Sequence, residues 1–174
     1  MNVGVAGIDP ADPADGGAGT ATRSAADGGL TGADGSVRRV LRAEVHRARE
    51  RRAGEPVRVL DVGGGTGVWA VPMAAAGCAV TVVDISPDAL AALRGRALRA
   101  GADDLITSVQ GDVQTLVEVV PHGGADLVLG HNLLEVVDDV AAAVAQLADC
   151  TAPGGTPPRW PTRTRDGSTR PALC

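Results

Sequence analysis

Apolar positions along the chain fall into two alternating patterns. Short runs such as Val57-Arg-Val-Leu-Asp-Val62, Ala79-Val-Thr-Val-Val-Asp84, Leu105 to Gln110 and Asp126-Leu-Val-Leu129 have the length and side chains of strands buried on both faces. Between them, apolar residues return at three- and four-residue steps, the period of a helix with one buried stripe. Val37, Val40, Leu41, Val45 and Ala48 predict a first helix over 37–53, with arginines facing Glu44 and Glu50 on its outer face, and Gly54 and Pro56 stop it. A second helix is expected over 68–76, with Pro72 near its first turn and Gly77 closing it. Ser86-Pro87-Asp88 supplies an N-cap, an N1 proline and a carboxylate for a helix reaching Ala100, which Gly101 ends. A short helical piece over 113–119 and a last helix marked by Val137, Val140, Val144 and Leu147 follow, with Asp138-Asp139 as its start. Strands alternating with helices at this spacing predict right-handed βαβ units in a doubly wound, parallel α/β sheet.

Composition sets the boundaries of that domain. Residues 1–35 are mostly Gly, Ala, Asp, Thr and Pro and are expected to be a disordered leader, with the folded domain over 36–155 and a disordered tail over 156–174. Across 174 residues the hydrophobic fraction is 44% and the charged fraction 21%, ordinary for a globular chain, but Phe and Tyr are absent, so the core must pack small side chains. A net charge of −5 argues against broad binding to a phosphate backbone, and no DNA partner is expected. The sixteen basic residues are all arginine; those on the first helix suit a solvated face better than an RNA surface. Cys78, Cys150 and Cys174 have neither paired nor metal-ligand spacing, so no disulfide framework and no metal site is expected. With no long apolar run and no basic-apolar start, the expectation is a cytoplasmic protein without a membrane partner.

Chemistry concentrates where the first strand runs through Asp61 into Gly63-Gly64-Gly65-Thr66-Gly67. Glycines there let the backbone turn sharply and approach a bound molecule. A dinucleotide fingerprint counted from Gly63 would need a small residue at 68, where Val68 stands, and a P-loop would need Gly-Lys-Ser/Thr, which does not follow. The remaining pattern, Asp-x-Gly-x-Gly-x-Gly from Asp61 to Gly67, resembles the first motif of class I S-adenosylmethionine (SAM) dependent methyltransferases, which have a Rossmann-like fold.

That resemblance extends over about residues 55–155 and rests on four motifs in order. It implies that Asp61, Gly63, Gly64, Gly65 and Gly67 pass under the methionine part of SAM. Asp84, ending the second strand, would accept from both ribose hydroxyls, with Ile85 and Ser86 flanking the adenine. Asp112 would take the adenine amino group while the backbone at Val113 meets the ring. Gly130, His131 and Asn132, after the fourth strand, would face the methyl group and the acceptor. From the residues alone, a cap of its own helix is the alternative reading of Asp112, His131 reads first as a structural residue, and no catalytic base is assigned. Asp-Ile-Ser and His131-Asn-Leu-Leu-Glu-Val-Val-Asp-Asp139 are similar to bacterial tRNA wobble-uridine carboxymethyl methyltransferases, so a tRNA or a small molecule is the expected acceptor.

The resemblance breaks after Pro153-Gly154-Gly155. In that family this tripeptide introduces a fifth strand, followed by a helix and two further strands, whereas residues 156–174 carry four prolines and no apolar run. The expectation is a truncated or out-of-frame end, the C-terminal strands missing, and a fourth strand exposed along Leu127-Val128-Leu129 as an edge for self-association. Two other readings follow: a SAM- or nucleoside-binding module without transfer, and a nicotinamide-dependent oxidoreductase, which Val68 disfavours.

Overall fold

A computed structural model describes residues 33–157, 161–163 and 169–171. Five parallel strands form one sheet: β1 (Arg58–Val62), β2 (Ala79–Asp84), β3 (Ile106–Gln110), β4 (Ala125–Leu129) and β5 (Thr151–Thr156), in the order β3-β2-β1-β4-β5. The order reverses between β1 and β4, and the crevice above their carboxyl ends is where a ligand fits in a doubly wound sheet. The connections are α1 (Ala33–Arg51) before the sheet, α2 (Ala70–Ala75), α3 (Pro87–Ala100), the short α4 (Leu116–Val119) and α5 (Val140–Asp149). Among the described residues no helix is long and apolar enough to cross a membrane.

The two-residue period of the strands divides the core into two layers. Val59 and Leu127 point with Val80 and Val82 toward α1, α2 and α3, meeting Ala48, Ala74, Leu93 and Ala97. Their neighbours Leu60, Val128 and Val83 point the opposite way, against Leu116, Ala143 and Leu147. Cys78 is buried in the first layer and Cys150 in the second, both as free thiols. Helix ends follow the local chemistry. Ser86 Oγ accepts the Ala89 N–H at 3.2 Å, Gly101 takes the left-handed conformation (φ 62°) that closes α3, and Asp139 accepts the Ala142 N–H at 2.9 Å.

Four expectations change. First, Glu44 is not on a solvated face: it is 6% exposed, accepts from Arg47 at 2.6 Å and takes the hydroxyl of Thr156 at 3.0 Å. Val40, expected in the buried stripe, is instead half-exposed, because α1 turns Val45 and Ala48 inward. Second, Val140 is exposed, and α5 buries Ala143 and Leu147, with Cys150 just beyond its end. Third, β4 is not an edge. Thr151–Thr156, including Pro153-Gly154-Gly155, pairs with it as β5, the register slipping between Ala125 and Leu127. Proline is tolerated there because an edge strand needs ladder donors on one side only. Fourth, the tail forms more than irregular chain: β6 (Pro161–Arg163) and β7 (Thr169–Pro171) pair antiparallel in a separate ribbon and add nothing to the central sheet. The leader over 1–32 lies outside the described residues; α1 begins two residues before the expected boundary at 35.

Candidate active site

Asp61 is the penultimate residue of β1, and strand alternation sends its side chain into the interior beneath the glycine loop. It is 1% exposed, and neither carboxylate oxygen has a hydrogen-bond partner. A buried carboxylate without partners is costly to ionise. Burial, with the charge of Asp84 adding to it, pushes its pKa up from 3.8 to about 7. The loop lies directly over it: a Cβ on Gly64 would stand 2.7 Å from Asp61 Oδ2. Gly64 is therefore required by the close approach of this carboxylate.

Asp84, the last residue of β2, fixes the other side of the loop. Its Oδ2 accepts the Gly65 N–H at 2.8 Å and its Oδ1 accepts the Ser86 N–H at 2.9 Å. One carboxylate thus holds the loop after β1 to the loop after β2, and Gly63 N–H donates to the Val83 carbonyl at 2.7 Å beside it. Ile85, next in the chain, is 68% exposed, an unusual placement for a large apolar side chain. Val68 is exposed as well, and the close packing that a dinucleotide site places at that position falls on Gly67.

The third and fourth strands complete the crevice. Gly111 N–H donates to the Asp84 carbonyl at 3.2 Å. Asp112 accepts the Gln114 N–H at 3.0 Å and so caps its own helical turn, while the side chain of Val113 is buried in the core and leaves only its backbone to the crevice. After β4, Gly130 is buried, and Asn132 adopts a left-handed conformation (φ 58°) that turns the chain so that Leu133 covers Gly63. His131 is exposed and meets Trp69 edge to face, the ring centroids 5.7 Å apart.

The structure therefore brings together Asp61, the glycines 63–67, Asp84, Ile85, Ser86, Gly130 and His131 around one crevice, with Asp112 and Val113 at its β3 end. Trp69 and Leu133 are the residues that pattern reading did not single out. Trp69 is one of only two aromatic side chains in the chain, which was the available signal. Among the described residues no group of three or more His, Cys, Asp or Glu side chains is placed to hold a metal ion.

A family profile described as methyltransferase domain matches residues 34–156. A ubiquinone biosynthesis O-methyltransferase of Vibrio cholerae is 37% identical over 98 residues, covering 56% of this chain and 39% of that protein. The chain thus spans less than half the length of the curated relatives it matches. Among solved structures, a SAM-dependent methyltransferase from Geobacter sulfurreducens in complex with S-adenosyl-L-homocysteine superposes with a TM-score of 0.51 at 27% identity, covering 65% of this chain and 45% of that one. The corresponding complex from Thiobacillus denitrificans gives 0.51 at 26% identity, covering 57% and 40%. The matched span runs from α1 through β5 and contains every residue of the crevice, so the chain belongs to the methyltransferase domain family.

Proposed function

We propose that this chain binds SAM in the crevice above β1 and β2 and transfers its methyl group to a small-molecule acceptor. The observation that carries the reading is the Asp84 carboxylate, which ties Gly65 to Ser86 at the end of β2 with Ile85 exposed beside it. Each carboxylate oxygen accepts one backbone N–H and keeps capacity for a second donor, which suits the two hydroxyls of an unphosphorylated ribose. Ile85 offers an apolar surface to a purine. Asp61, unpartnered under Gly64, offers negative charge beneath the loop once a cationic group is present to favour its ionised form.

SAM, when bound, supplies a methyl group already activated by its sulfonium. The work left to the chain is positioning an acceptor in line with it, which needs no fixed acid or base. His131, steadied against Trp69, and the turn at Asn132 border the side from which an acceptor arrives. The names of the curated relatives, O-methyltransferases of a biosynthetic route, support a small hydroxylated molecule over the tRNA that the motif after β4 suggests.

Calorimetric titration of the full chain with SAM tests the reading, alongside Asp84→Ala and with NAD as competitor. The expected result is one SAM site, weakened at least about tenfold by the substitution and unaffected by NAD. Absence of SAM binding would overturn it. Binding without S-adenosyl-L-homocysteine release, across hydroxylated aromatic acids and bulk tRNA, would identify a binding module; turnover on tRNA alone would replace the small-molecule acceptor.

A further inference from the structure

A second concavity lies away from the crevice, between α1 and α2. It encloses about 300 Å³, at the small end of ligand cavities, and is open on one side. Its floor is apolar, made by Leu41 and Val45 of α1, Met73 of α2, and Trp69 at its upper end. Its rim carries three guanidinium groups, Arg38, Arg42 and Arg49.

The partners of the arginines nearby give the rim its meaning. Arg47 is satisfied by Glu44, and Arg52 and Arg58 share Asp126. Among the described residues no carboxylate lies within ion-pair distance of Arg38, Arg42 or Arg49. Arg49 donates to the Ala76 carbonyl and is tied to the lower wall. Arg38 and Arg42, one helical turn apart on α1, are left facing an apolar trough without an anion.

We propose that this groove is a binding site for an amphiphilic monocarboxylate, whose head pairs with Arg38 and Arg42 and whose apolar body lies over Leu41, Val45 and Met73. The charge requirement comes from the two guanidiniums, which present paired donors suited to a carboxylate. The apolar requirement comes from the floor. Trp69 lines this groove and also meets His131 edge to face, so an occupant of the groove neighbours a residue that borders the methyl-transfer side. The groove is distinct from the SAM crevice in its lining, none of which is Asp84 or a residue of the 63–67 loop.

Trp69 also reports on occupancy. In a Trp160→Phe background it is the only indole, and decanoate below its micelle concentration serves as the probe. The expected result is a saturable change in Trp69 emission, with decan-1-ol at least about tenfold weaker. Arg38→Ala combined with Arg42→Ala should lower decanoate affinity at least about tenfold and leave the alcohol's unchanged. Alanine is a strong helix former, so far-ultraviolet circular dichroism of the double variant should match the parent. Equal binding of acid and alcohol, or undiminished decanoate binding by a folded double variant, would overturn the proposal.

Discussion

Gly67 packs against Leu93 of α3 so closely that a Cβ on the glycine would stand 2.2 Å from Leu93 Cδ1, and its φ of +79° lies in the left-handed region. Both facts forbid a side chain. The last glycine of the loop is therefore spent on docking the loop to α3. Gly67→Ala should cost about 2–4 kcal/mol from backbone strain and overpacking together, read as a lowered urea midpoint. The companion variant Leu93→Ala should unfold at lower urea on its own. Combined with Gly67→Ala it should lose less than the sum, because it vacates the space the new methyl needs.

Gly64→Ala separates a close approach from a conformational need, since Gly64 has no left-handed φ but a Cβ on it would stand 2.7 Å from Asp61 Oδ2 and 2.9 Å from Val82 Cγ1. The substitution should weaken SAM at least about tenfold and cost about 1–3 kcal/mol in denaturant unfolding. Unchanged SAM affinity would mean that the loop over Asp61 is not the cofactor's seat.

The raised pKa of Asp61 makes a signed prediction for the ligand-free chain. The folded state holds the proton up to about pH 7, whereas the unfolded chain releases it near 3.8. The contribution is thus complete below 3.8 and is lost as pH rises through 7, by roughly a few kcal/mol. Urea unfolding between pH 5 and 8 should show stability falling with pH, and Asp61→Asn should flatten that fall. Saturating SAM should reduce it too, since a cationic ligand favours the ionised carboxylate.

Asp126 behaves in the opposite sense. Burial alone would raise its pKa, but bonds from the Arg58 side chain at 3.1 and 3.3 Å and from the Arg58 N–H at 2.8 Å, with Arg52 nearby, hold it below the usual carboxylate range. A depressed folded value gives stability present above about pH 4 and lost as acid protonates the group. Asp126→Asn should destabilise by about 1–3 kcal/mol at pH 7 and show a shallower loss below pH 4, measured by acid titration of the circular dichroism.

Glu44 joins the first helix to the last strand of the sheet through Thr156, 112 residues away. Glu44→Ala leaves Arg47 and Thr156 without their acceptor inside the α1–β5 contact and should cost about 1–3 kcal/mol; Thr156→Val, removing one bond only, should cost less. Equal midpoints for parent and Glu44→Ala would show that the contact contributes nothing.

The strands β1, β2 and β4 were legible because both faces of each are buried, so their apolar runs leave little choice of structure. The crevice was legible for a related reason: a doubly wound sheet places the residues after each strand at one end, and Asp61, Asp84 and His131 all stand there. Glu44 was misread because the signal for its burial is Thr156, which no local pattern connects to a helix near the start of the chain. β5 was hidden by its own composition. Thr-Ala-Pro-Gly-Gly-Thr reads as a turn by every local rule, and only the neighbouring β4, with its slipped register, makes it a strand.

That composition has a consequence for how molecules of this protein meet one another. A sheet margin normally recruits a second chain by offering evenly spaced amide hydrogens along a flat ribbon. Among the described residues, the outermost strand of the sheet lacks one such hydrogen at Pro153, and the next residue, Gly154, rotates out of the pleat with φ +75°. An incoming strand would find its template interrupted after two residues. β5 thus shields the apolar β4 with a strand whose own backbone is broken at Pro153 and Gly154.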